Sequence, residues 1–149
     1  MRHIEEAYDV IVCGGGLAGV CAAIAAARNG ARTCILQDRP EFGGNSFSEI
    51  RVFSQEAANF HAYARETGII SEQLIEERAV NHEPNQDNGR TNSVWDMLLY
   101  DKVISTPNLS FHLNTSMYAV RKGIHNEAWN TITENETIRH ELTRHVLGI

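Results

Sequence analysis

The chain has 149 residues, enough for one domain with a hydrophobic core. Hydrophobic residues make up 42% and charged residues 21%, globular proportions that exclude a disordered chain. A net charge of -6 gives no electrostatic reason to expect nucleic acid or an anionic membrane surface as partner, and no apolar run approaches the ~20 residues of a bilayer-spanning helix.

Met1 to Tyr8 is polar and acidic, with neither the basic nor the apolar block of a secretory leader. Val10-Ile11-Val12 is a continuous β-branched run, which predicts a parallel strand buried on both faces. Leu17 to Asn29 is alanine-rich and free of proline; it predicts a helix whose small side chains let it lie close to a sheet. Gly30 stands where such a helix stops. Thr33 to Leu36 is a second buried strand, and so short a connection requires a right-handed crossover.

After Pro40 the texture changes. Phe42-Gly43-Gly44-Asn45-Ser46 reads as a loop. Glu56 to Arg65 and Ser71 to Ala79 read as helices, the second with Leu74, Ile75 and Arg78 on one face. Pro84 to Arg90 is a polar loop. Ser93-x-x-Asp96 has a capping-box pattern and opens a helix with the apolar stripe Trp95, Leu98, Leu99 and Val103. Pro107-Asn108 ends it. Leu109 to Leu113 and Met117 to Val120 then read as strands around the turn Asn114-Thr115-Ser116. Beyond Gly123 there is only a weak helical signal, from Glu136 to Val146.

Gly14, Gly16 and Gly19 match G-x-G-x-x-G after a strand and at the start of a helix, with a second strand following. The first glycine permits the turn, the second admits a pyrophosphate to the backbone, and the third allows close helix–sheet packing. Helix N–H groups and the helix dipole then hold the phosphates. An acidic residue is expected at the end of the second strand, on the adenosine ribose. This chain has Gln37 there, followed by Asp38 and Arg39. Arg39 leaves open a 2′-phosphate, and hence NADP; equally it is a solvated surface arginine.

The remaining polar residues carry weaker patterns. The histidines show no helical i, i+4 pair and no His-Glu-x-x-His, so no metal site is expected. Three cysteines without Cys-x-x-Cys spacing suggest reduced thiols and a cytoplasmic setting. Glu49 and Arg51 either reach toward a cofactor or pair to fix the loop.

The stretch Cys34-Ile-Leu-Gln-Asp-Arg-Pro-Glu-Phe-Gly-Gly-Asn-Ser-Phe-Ser-Glu-Ile-Arg51 resembles the N-terminal part of bacterial FAD-dependent oxidoreductases. Arg65-Glu-Thr-Gly-Ile-Ile70 and Ser93-Val-Trp-Asp-Met-Leu-Leu-Tyr100 look like further segments of that family, and the resemblance runs from residue 8 to about 122. It implies an α/β, partial Rossmann-like FAD-binding domain over 1–122, with a helical insertion near 53–106, then an unrelated tail over 123–149. By the same resemblance Gly14, Gly15, Gly16, Leu17, Ala18 and Gly19 contact the FAD diphosphate, and Gln37 and Asp38 lie at the ribose with Arg39 nearby. Gly43, Gly44 and Asn45 approach the ribityl or isoalloxazine side, and Val120 faces the adenine through its backbone. The family is related to heterodisulfide reductase flavin subunits, but no clustered cysteines are present for an iron–sulfur centre.

Complete members are longer, with a substrate domain and a later glycine-containing strand that this sequence does not show. The expectation is therefore an N-terminal fragment with an open edge along Val10 to Val12 and no assignable catalytic residue. Flavin-mediated hydride or electron transfer on an unknown substrate is the expected activity of the whole enzyme. An NAD(P)-binding domain and a non-catalytic nucleotide-binding fragment are the alternatives.

Overall fold

The computed structural model describes residues 2–54, 63, 68–83, 91–122, 129–134 and 138–144. In chain order the elements are β1 (Arg2–Tyr8), β2 (Val10–Cys13), α1 (Leu17–Arg28) and β3 (Thr33–Leu36), then a 3-10 turn at Gly44–Ser46. They continue with α2 (Gly68–Val80), α3 (Ser93–Ser105), β4 (Leu109–His112), β5 (Ser116–Lys122), β6 (Trp129–Glu134) and β7 (Ile138–Arg144). The helix expected over Glu56–Arg65 and the loop over Pro84–Arg90 lie outside the described residues.

β2, β3 and β4 form a parallel sheet in the order β2-β3-β4, with Val12 opposite Ile35 and Ile35 opposite Phe111. The expected strand–helix–strand unit is thus present, with α2 and α3 inserted before the third strand. β3 is central and buried throughout, whereas β2 is a half-buried edge strand. One face of β3 meets the helices: Ile35 packs with Val20, Ala23 and Ile24 of α1, Trp95, Leu99 and Val103 of α3, and Phe42. The alternate residues Cys34 and Leu36 face the other way, against Tyr8 and Ile11. This is the period-2 logic of a strand buried on both sides.

Three local expectations change. The N-cap of α3 is Asn92, whose side chain accepts from the Val94 N–H, so the cap lies one residue before the Ser93 pattern. In α2 Ile75 is 68% exposed, while Gln73 and Glu77 are buried in its place. Glu77 is tolerated there because Asn81 Nδ2 donates to it at 2.7 Å and Arg78 pairs with it. Finally, residues 138–144 are strand rather than helix. β5, β6 and β7 run antiparallel in sequence, and β1, which shows no strand signal in the sequence, adds in parallel to β7.

Candidate functional site

β2 ends at Cys13 and α1 begins at Leu17, so Gly14, Gly15 and Gly16 make the whole turn between them. Gly14 sits at φ 110°, in the left-handed region that disfavours any side chain. A Cβ on Gly19 would fall 1.9 Å from the Gly14 carbonyl oxygen, so the third glycine is required by helix-to-loop contact. Gly16 is the N-cap of α1 and offers no side chain to the first-turn N–H groups, and no acidic residue occupies that turn. A Cβ built on Gly16 meets no protein atom within 4 Å. The helix end is thus open, positive and uncrowded, which fits an anion.

The second glycine loop rests directly on the first. Gly43 N–H donates to the Gly15 carbonyl at 2.8 Å, and a Cβ on Gly44 would lie 3.1 Å from Gly16 Cα. Gly15 is enclosed as well, since a Cβ there would meet Phe42 at 2.7 Å. Beyond the 3-10 turn, Ser48 N–H donates to Asp96 Oδ1 at 3.0 Å and so ties the loop to the first turn of α3. Burial pushes the Asp96 carboxyl above its ordinary value. Arg51 donates from Nε to the Ser48 carbonyl at 2.9 Å, and no Glu49–Arg51 ion pair forms among the described residues.

Gln37 follows β3 and is 4% exposed. Its Oε1 accepts from Gly15 N–H at 2.8 Å and its Nε2 donates to the Glu41 carbonyl at 2.8 Å. Its backbone N–H donates to the His112 carbonyl, and its carbonyl accepts from Thr115 N–H, both at 2.9 Å. The side chain is buried, with one amide N–H and one oxygen lone pair engaged by the backbone of the two loops. Asp38 is exposed instead. It lines a cavity of about 260 Å³ with Cys13, Gly14, Leu36, Thr115, Ser116 and Met117, at the carboxyl ends of β2 and β3. That is where ligands of parallel α/β sheets bind.

Leu17 is half-buried against the core, while Ala18 and Asn45 are exposed. Arg39 lines a different, smaller cavity with Gly44, Phe47 and Glu49. Val120 pairs with Thr131 along β5 and is not among the residues lining the Asp38 cavity; Thr115, Ser116 and Met117 at the start of that strand are. Those three were missed from sequence. The polar turn after β4 was the only signal, since it lies beside the end of β3 solely through strand pairing.

The three cysteines are free thiols, and burial raises each of them, Cys34 to about 12. Among the described residues no His, Cys, Asp or Glu cluster could hold a metal, and no helix is long and apolar enough to cross a membrane.

A sequence profile of FAD dependent oxidoreductases matches residues 9–145. The match runs past residue 122, to residue 145. In sequence the chain is 50% identical over 42 residues to sarcosine oxidase subunit alpha of a Corynebacterium species, covering 28% of this chain and 4% of that one. It is 44% identical over 43 residues to a digeranylgeranylglycerophospholipid reductase of Methanococcus vannielii, covering 29% of this chain and 11% of the relative. In structure it is similar to L-proline dehydrogenase from P. horikoshii, with TM-score 0.59 and 16% identity over 97% of this chain and 22% of that one, a likeness of fold. The chain thus spans a small part of the length of the curated relatives it matches. With the profile covering most of its residues, the chain belongs to the FAD-dependent oxidoreductase family, with FAD as its cofactor.

Proposed function

We propose that this chain supplies the adenosine-diphosphate half of an FAD site in an oxidoreductase, with the α1 N-terminus at the diphosphate and the Asp38 cavity at the adenosine. The observation that carries this reading is the contact between the two glycine loops. Gly15 and Gly43 are hydrogen-bonded while Gly14 and Gly16 keep open faces, so the open helix end and the cavity lie on one side of the sheet's carboxyl edge. Bound FAD supplies two-electron redox chemistry. The residues described here bind and orient; they hold no group placed to act as acid or base on a substrate, and the substrate is left unassigned. Reduced thiols support a cytoplasmic location.

An NADP site built on Arg39 finds less support, because Arg39 and Asp38 line separate cavities. The test is a titration of the purified chain with FAD, ADP and NADPH, followed by flavin fluorescence and competition. FAD and ADP competing for one site, with NADPH weaker, is expected. NADPH binding more tightly than FAD replaces this reading with the nicotinamide one, and the absence of all binding leaves a non-catalytic fragment.

A further inference from the structure

We propose that Arg51 anchors a carboxylate of the enzyme's substrate, held beside the flavin by the turn that follows the second glycine loop. The inference rests on the FAD reading above and names the class of substrate which that reading leaves open. Three non-glycine residues have positive φ among the described residues: Asn108, Asn114 and Arg51. Asparagine adopts this conformation readily, because its short polar side chain bonds locally. Arginine has no such compensation, so Arg51, at φ 64°, is held there by the turn around it. Ile50 and Arg51 N–H both donate to the Phe47 carbonyl, at 3.0 and 2.8 Å, and Val52 N–H returns to the Asn45 carbonyl at 2.9 Å. Asn45 belongs to the 3-10 turn of the second glycine loop, whose Gly43 is bonded to the diphosphate turn at Gly15. Arg51 therefore rides on the same framework as the FAD cradle.

The side chain is fixed as well. Its Nε donates to the Ser48 carbonyl at 2.9 Å, and Ser48 N–H is itself tied to Asp96 of α3. Nη1 and Nη2 are left without a partner among the described residues, and Arg51 is exposed. Glu49, two residues earlier, lines the smaller cavity with Arg39 rather than neutralising Arg51. The result is a guanidinium held along one edge with its two terminal nitrogens open. That pair matches the two oxygens of a carboxylate, a fit that an ammonium group lacks. Holding a reactant in one orientation is what such a clamp contributes. The other oxyanion available is the FAD diphosphate, but the open N-terminus of α1 already receives it in the reading above. Arg51 orients the substrate and takes no part in bond making.

The test uses the 149-residue chain saturated with FAD. It is titrated at constant ionic strength with benzoate and with benzamide, a neutral molecule of the same shape. Binding is read from flavin difference spectra and from the melting temperature. Wild type is expected to favour benzoate by on the order of tenfold, the scale of hydrogen bonds between charged groups. Arg51→Gln and Arg51→Lys lose that preference while FAD and ADP bind as in wild type. Arg51→Gly melts above Arg51→Ala, as a positive φ requires. Should Arg51→Gln not fold, Arg51→Lys, which keeps the charge and loses the fork, carries the test. Preference for benzoate retained in these variants, with a lowered melting temperature, makes Arg51 a structural brace and overturns the proposal. Weakened FAD and ADP binding in Arg51→Lys and Arg51→Gln assigns the residue to the diphosphate and overturns it too. Wild type that binds FAD but does not distinguish benzoate from benzamide overturns this assignment alone. Wild type that binds neither FAD nor ADP overturns the FAD reading, and this inference with it.

Discussion

Gly16 and Gly19 carry the same residue type for opposite reasons, and the difference can be measured. At Gly19 a Cβ would lie 1.9 Å from the Gly14 carbonyl oxygen, a backbone atom that moves only with the loop. Gly19→Ala is expected to cost about 1–3 kcal/mol by overpacking and to weaken FAD binding through the displaced loop. At Gly16 the backbone is extended, φ -67° and ψ 173°, and no protein atom stands within 4 Å of a Cβ. Gly16→Ala should therefore change the melting temperature little, because the unfolded-state entropy gained, up to about 1 kcal/mol, is offset by the poorer N-cap, and should still lose FAD affinity if the diphosphate lies where the site proposed above puts it. Thermal melts and FAD titrations of the two variants check this; a Gly16→Ala chain with wild-type affinity would remove the diphosphate from that face. The close approach at Gly19 and the turn at Gly14 were legible in the sequence because they depend on backbone angles and the absence of a side chain. The role of Gln37 was not, because its partners Gly15 and Thr115 are brought to it by strand pairing.

At the scale of elements, the helices are joined by an ionic clasp that no single segment announces. Arg28 at the end of α1 donates twice to Glu72 of α2, at 2.8 Å each, and Lys102 of α3 lies 3.5 Å from Glu72 and pairs with Glu76. The Arg28 hydrogen bonds hold the Glu72 carboxyl down at about 2. A depressed acid stabilises the fold above its unfolded value, about 4.3, and loses that contribution as pH falls from there through 2. Glu72 is 43% exposed, so solvent and salt screen the pair. Glu72→Gln is expected to cost no more than about 1 kcal/mol at pH 7. The difference in melting temperature from wild type should shrink as pH is lowered from 4.5 toward 3, and again in 1 M salt. A difference that grows on acidification would contradict the clasp. The helices themselves were largely readable: α3 buries Trp95, Leu99 and Val103 of its expected stripe, while Leu98 is half-buried and Lys102 is buried beside them. The buried face of α2 was not, because Gln73 and Glu77 occupy it and Ile75 faces out, and a buried carboxylate held by Arg78 and Asn81 of the same stretch leaves no apolar period to read.

At the scale of the whole molecule, the strand–helix–strand core was legible and the second sheet was not. β1 pairs with β7 in parallel, Arg2 opposite Ile138, across nearly the full length of the chain. Charged residues such as Arg139 and Glu141 dilute any apolar alternation in β7. Pairings of that range are fixed by topology and carry no local mark. The first sheet, meanwhile, ends at β2: among the described residues no strand pairs with its outer side. Unpaired N–H and C=O groups on a flat apolar strand template association with another chain. The 149-residue chain is therefore expected to self-associate with rising concentration in sedimentation velocity and to release part of its FAD on desalting. Val10 lies on this strand and belongs to neither core cluster, so a lysine there places charge on the edge without opening the interior. Val10→Lys should shift association to several-fold higher concentration while changing stability by less than about 1 kcal/mol. A wild-type chain that stays monomeric at all concentrations and retains stoichiometric flavin would show that the β2 edge is closed in solution, and that the three-stranded sheet is not where the molecule is open.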